Sequence, residues 1–184
     1  MKQRYVVSLL LLVVLGSFFT AYIRRSSSMP QADASLTARK LLDSANGDAQ
    51  KLSDASDLLR TVVAGDSENQ YAYFLQGRAL QQRGLLDEAL ASYQKYIDLN
   101  FSSDFATHYN SGELHEVKGE FDKAERFYQV CIDLAPTVPA SWERMIMLQI
   151  KAKNPAKAKG YFDALKLALP NHEIVKKLMP LVQQ

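Results

Sequence analysis

Apolar residues recur along this chain with the spacing of one helical face, and short polar stretches interrupt them. Leu36, Leu41, Leu42 and Ala45 mark one stripe. Leu52, Ala55, Leu58, Leu59, Val62 and Val63 mark the next. Residues three and four apart share a side of a helix, so each stripe predicts an amphipathic helix. From Gln70 a longer period takes over. Tyr73, Gly77, Leu80, Gly84, Ala89 and Tyr93 set a frame, and Gly112, Gly119, Ala124 and Tyr128 return it 35 residues later, with Pro136 after them. Trp142, Ala158, Phe162 and Pro170 repeat it a further 34 residues on. Beyond Pro170, Ile174, Val175, Leu178 and Leu181 predict one closing helix, with Asn171 as its N-cap and Pro180 kinking or fraying its end.

The recurring residue types resemble a tetratricopeptide repeat (TPR) array, in which each repeat is two antiparallel helices joined by a short turn. A mid-helix glycine (Gly77, Gly112) lets the partner helix approach, and a turn glycine (Gly84, Gly119) suits a left-handed backbone. A small residue (Ala89, Ala124, Ala158) sits where the helices cross, and aromatics fill the surrounding space. Proline after the second helix (Pro136, Pro170) stops it. The departures are local: Ile146 and Lys153 replace the two glycines in the third repeat, and Phe101 replaces the first stop proline. The resemblance implies an all-α TPR solenoid. Its parts would be a degenerate helical pair at 35–66, three repeats at 70–104, 105–138 and 139–170, and a capping helix at 171–184.

Ahead of these lies Tyr5–Ile23, an uncharged and mostly apolar run of transmembrane length with tyrosines near its ends. We read it as an uncleaved signal-anchor within residues 1–25, followed by a polar linker at 26–34. The competing reading is a cleaved signal peptide, but the run is long for one and Phe19-Thr20-Ala21 lacks the small residue that cleavage needs. Lys2 and Arg4 favour a cytoplasmic N-terminus, whereas Arg24 and Arg25 oppose it. A short basic tail before a first apolar helix usually exports the domain C-terminal to that helix. The expected setting is therefore a bacterial inner membrane with the repeats in the periplasm, and a cytoplasm-facing domain is the other orientation. Gly16/Thr20 and Ser17/Ala21 have the small-xxx-small spacing that pairs membrane helices, so the anchor is also a candidate homodimer contact.

The net charge of +2 changes meaning once this segment is set aside. Residues 1–25 hold four bases and no acid, leaving 18 bases against 20 acids. Nothing here points to nucleic acid. Residues 86–134 carry net −6 and residues 151–184 net +5, an asymmetry able to orient a partner. A single cysteine, Cys131, rules out an internal disulfide. His108 and His115 are seven apart and share a face, but they fill the positions of Tyr73 and Leu80, which pack inside a repeat. No phosphate loop, serine elbow or paired-carboxylate motif occurs. Neither enzymatic activity, a cofactor nor a metal is expected.

The TPR resemblance implies a concave groove lined by the first helix of each repeat. Mapping the frame places Tyr71, Phe74, Arg78 and Gln81 there, then Tyr109, Asn110, Glu113 and Glu116, then Glu143, Arg144, Met147 and Ile150. Aromatic and flexible apolar side chains beside a few charges suit a peptide, although Phe74 and Tyr109 equally suit packing between repeats. Lys176 and Lys177 are expected outside this strip. One TPR subclass clamps C-terminal carboxylates with two lysines, two asparagines and an arginine. Asn110 and Arg144 match it, but Phe74 and Ala140 replace the lysines and Arg78 the first asparagine. The function expected is a membrane-tethered scaffold that binds a protein or peptide partner during assembly of a larger complex. Its layout is similar to bacterial anchored TPR subunits of cytochrome c maturation. The alternative is a structural subunit of an envelope, pilus or secretion machine.

Overall fold

The structure is a computed structural model that describes residues 31–100 and 104–183. The expected anchor, the start of the linker and Phe101 lie outside these residues. Among the described residues no helix is long and apolar enough to cross a membrane. Every regular element described is a helix: α1 (residues 31–43), α2 (Ala49–Gly65), α3 (Gln70–Gln82), α4 (Leu86–Leu99), α5 (Phe105–Val117), α6 (Phe121–Leu134), α7 (Pro139–Lys151), α8 (Pro155–Ala168) and α9 (Glu173–Val182). They divide after Arg83 into two compact units.

In the first unit, Asn46 and Gly47 turn the chain between α1 and α2 with φ of 44° and 84°. Asp48 then caps α2, its carboxylate accepting from the amides of Gln50 (2.9 Å) and Lys51 (3.2 Å). Ala38, Leu42, Leu52, Leu59, Val62, Leu75 and Ala79 form the core. Two expectations need correction here. The chain is already helical from residue 31, inside the stretch read as a linker. Ala34 packs on the core and Ser35 is buried, so small side chains carry the first turn where a large apolar residue was the signal sought. Leu36, assigned to the packed stripe, is 49% exposed. The buried face follows Ala38, Leu42 and Ala45, four and three residues apart, and leaves Leu36 to one side.

In the second unit, Asp104 caps α5 through the Thr107 amide at 2.8 Å, and prolines open α7 and α8. The core gathers Tyr128, Trp142, Met145, Ile146, Phe162 and Leu165, closed by Ile174, Val175 and Leu178 of α9. Burying such side chains stabilises by about 1.5–3 kcal/mol each. On α9, Leu181 is exposed rather than packed. His172, not Asn171, caps this helix: its Nδ1 accepts from the Ile174 amide at 3.2 Å. The helix runs through Pro180 to Val182. Proline there removes one backbone hydrogen bond from the final turn.

The repeat frame shows in two details. The crossing residues Ala55, Ala89, Ala124 and Ala158 are all at most 1% exposed. Gly84 and Gly119 both have φ of 76°, and Lys153, where the frame would place a third turn glycine, has φ of 57°. A left-handed backbone costs a residue with a side chain about 1–2 kcal/mol. Part of that gain is offset by the greater freedom of glycine in the unfolded chain. Lys153→Gly should therefore raise stability by about 0.5–1 kcal/mol, read as a higher urea midpoint with an unchanged slope.

A candidate peptide cleft on the second unit

Three turns of α5 place Tyr109, Glu113 and Glu116 on one side of that helix. Ala140, Glu143, Arg144, Met147 and Lys151 share a side of α7 for the same reason. Tyr109, Glu116, Ala140, Glu143, Arg144, Met147, Ile150 and Lys151 line an open cleft of about 510 Å³. Met147 is 40% exposed, so its thioether is presented to solvent. The Tyr109 ring is steadied from behind, stacked on Phe105 at 5.8 Å and tilted against Tyr128 at 5.9 Å.

Charges at this cleft are tied to one another. The Arg144 guanidinium donates to the Tyr109 hydroxyl through Nε at 3.4 Å and to Glu113 through Nη2, while its Nη1 lies 3.7 Å from Glu116. Burial disfavours charge on Arg144, but the Tyr109 and Glu113 hydrogen bonds outweigh it and hold the group firmly protonated. Glu116 also accepts from the Tyr128 hydroxyl at 3.0 Å and lies 3.5 Å from Lys151 Nζ. Burial, then the Glu116 charge, pushes the Tyr128 phenol well above its usual range. Lys151 additionally sits over the Phe121 ring, 5.6 Å from its centre. Glu143 accepts from Lys177 on α9 at 2.6 Å.

Of the residues expected in the groove, Tyr109, Glu116, Glu143, Arg144, Met147 and Ile150 meet at this cleft, and Glu113 borders it through Arg144. Asn110 does not join them. It donates to the Tyr93 hydroxyl on α4 at 3.1 Å, so its amide serves packing between helices. The other four expected residues belong to the first unit. Tyr71 is 45% exposed, Phe74 packs partly buried against the first core, and Gln81 is half-buried. Arg78 faces Asp43 at 3.7 Å across a separate cleft of about 470 Å³ that Gln82 and Leu42 also line.

Lys177, expected outside the strip, does not line the cleft but donates to one of its residues, Glu143. Its signal was in the period. Asp43 and Arg78, Tyr109 and Arg144, and Glu143 and Lys177 are each 34 or 35 apart, and each pair is in contact. Residues one repeat apart on successive first helices face each other, and α9 follows that rule. Lys151 had a weaker signal, seven residues from Arg144 on the same side of α7.

The histidines and the cysteine do other work. His108 and His115 flank Phe127, at 5.9 and 5.3 Å between ring centres. His115 Nδ1 is 2.7 Å from Glu120, whose carboxyl Lys123 first and His115 second hold down at about 2. Among the described residues no group of three or more potential metal ligands is gathered. Cys131 is buried, its thiol donating to the Phe105 carbonyl at 3.6 Å, and burial pushes it up to about 12. A thiol held protonated in this way is a poor nucleophile at neutral pH.

Family models for tetratricopeptide repeats match residues 44–104 and 105–138. The chain carries tetratricopeptide repeats. The chain is 29% identical over 97 residues to the photosystem I assembly protein Ycf3 of Cuscuta gronovii, a match covering 51% of this chain and 58% of that protein. The chain thus spans little more than half the length of that relative. Among solved structures, MamA of Desulfovibrio magneticus RS-1 superposes with a TM-score of 0.66 at 12% identity, over 82% of this chain and 84% of the other. A TPR protein of Parabacteroides merdae gives 0.64 at 20% identity, over 80% and 59%. At these identities the likeness shows the all-α TPR fold.

Proposed function

We propose that this TPR chain is a non-catalytic scaffold that holds a segment of a partner protein in the α5–α7 cleft while a larger complex is assembled. The observation that carries the reading is the cleft itself, where Tyr109, Met147 and Ile150 offer apolar surface within a rim of fixed charge. Clefts of this size and lining suit short segments held by a few side chains. The assembly role is supported by the Ycf3 relative, which is named for assembly. The membrane tether rests on the sequence of residues 5–23 and places the repeats beside an inner membrane on the periplasmic side, in the layout of the TPR subunits of cytochrome c maturation.

Photocrosslinking in cells tests the reading. A crosslinking amino acid in place of Met147 should capture one partner segment, mapped by mass spectrometry. The same amino acid in place of Leu167, which is 86% exposed on α8, should not. Identical products from both positions would remove the cleft as the binding site. Carbonate extraction of the same cells tests the tether, with the intact chain expected in the membrane fraction.

A further inference from the structure

We infer that the α5–α7 cleft takes an uncharged, apolar internal segment of a partner chain and disfavours a chain-terminal carboxylate. This rests on the proposed reading of the cleft and adds the chemistry of its ligand. Arg144 is the cation a carboxylate would seek, and each of its three nitrogens already faces a partner. Nε meets the Tyr109 hydroxyl, Nη2 meets Glu113 and Nη1 meets Glu116. Lys151 meets the second oxygen of Glu116, and Lys177 meets Glu143. Among the described residues, three carboxylates and three cations around the cleft therefore pair with one another.

An incoming carboxylate would compete with Glu113 and Glu116 for Arg144. Glu116 is only 13% exposed in its side chain, so stripping its partner leaves a poorly solvated charge. The newcomer would also approach Glu116 and Glu143 as a like charge. An uncharged segment disturbs none of these pairs. It meets the Tyr109 ring, Ala140, Met147 and Ile150, and the thioether of Met147 adapts to large apolar side chains of differing shape. Arg144 is in this account a positioning residue: it fixes the Tyr109 hydroxyl and both glutamates and leaves the apolar floor open.

The test uses the full chain and an array of random nine-residue peptides, each attached by its N-terminus and made twice, once with a C-terminal amide and once with the free carboxylate. The strongest pairs are then titrated in solution by fluorescence anisotropy. Amidated peptides rich in leucine, phenylalanine or methionine should bind at least about tenfold tighter than their acid twins. Met147→Glu, at a position 40% exposed to solvent, should weaken the amides by about tenfold or more. Glu113→Gln frees one edge of Arg144 and should shrink the preference for the amide. Acid twins that bind as well or better, and lose affinity in Met147→Glu, would overturn this inference while leaving the cleft as the binding site. Peptides that bind equally to Met147→Glu, or an array with no binders, would overturn both readings.

Discussion

Gly112→Ala should lower the stability of this protein by about 1–3 kcal/mol. The usual effect has the opposite sign, since replacing a glycine inside a helix with alanine gains about 0.5–1 kcal/mol. At Gly112 a Cβ would stand 2.6 Å from one edge carbon of the Tyr128 ring and 2.8 Å from the next. The ring has nowhere to retreat. Tyr128 is fully buried, and its hydroxyl donates to Glu116 at 3.0 Å, so moving it also disturbs the acceptor that Arg144 and Lys151 share. Gly160 in α8 is the control. A Cβ there meets no neighbouring side chain or element within 4 Å among the described residues, so Gly160→Ala should gain stability at the ordinary rate. Opposite shifts of the urea midpoint at the two glycines are the expected result, and shifts of the same sign would contradict the assigned packing of α5 on α6.

The contrast between these glycines shows what kind of information the sequence carries openly. Gly112, Ala124 and Tyr128 are legible because close approach of two helices demands a missing side chain, a small one and a ring at fixed offsets. Gly84 and Gly119 are legible because a left-handed turn favours one residue type, and even Lys153 keeps the conformation without the glycine. The exact faces of the outer helices are less legible. Leu36 and Leu181 have the right hydropathy, but a rotation of one position on a helix carries a side chain out of the core. The start of α1 gives no hydropathy signal because Ala34 and Ser35 pack by being small. Charge pairing at the cleft is the least visible, since hydropathy says nothing of which acid a base will meet. Asn110 matches a clamp position by type yet turns to Tyr93. Lys177 is easily discounted because it falls in the capping helix, although it stands one repeat after Glu143.

Tyr109 is where packing and recognition coincide, and two substitutions should separate them. Tyr109→Ala should cost about 2 kcal/mol, below the roughly 3–5 kcal/mol of a fully buried aromatic, because the side chain is only half-buried. The loss comes from the ring contacts with Phe105 and Tyr128 and from the Arg144 contact. Tyr109→Phe keeps both ring contacts and removes only the hydroxyl, whose bond from Arg144 Nε is long at 3.4 Å. It should cost about 0.5 kcal/mol or less, below the usual range for a well-formed hydrogen bond. If the ring forms part of the peptide floor, Tyr109→Phe should bind a cleft peptide nearly as the parent does, and Tyr109→Ala should bind it about tenfold more weakly even where it is fully folded. Phe74→Ala should lower stability, because that ring packs on the first unit's core, and should leave affinity at the α5–α7 cleft unchanged. The measurements are urea unfolding and peptide titration on the same preparations. Loss of stability in Tyr109→Ala without loss of affinity would assign the ring to packing alone and leave Met147 and Ile150 as the apolar floor.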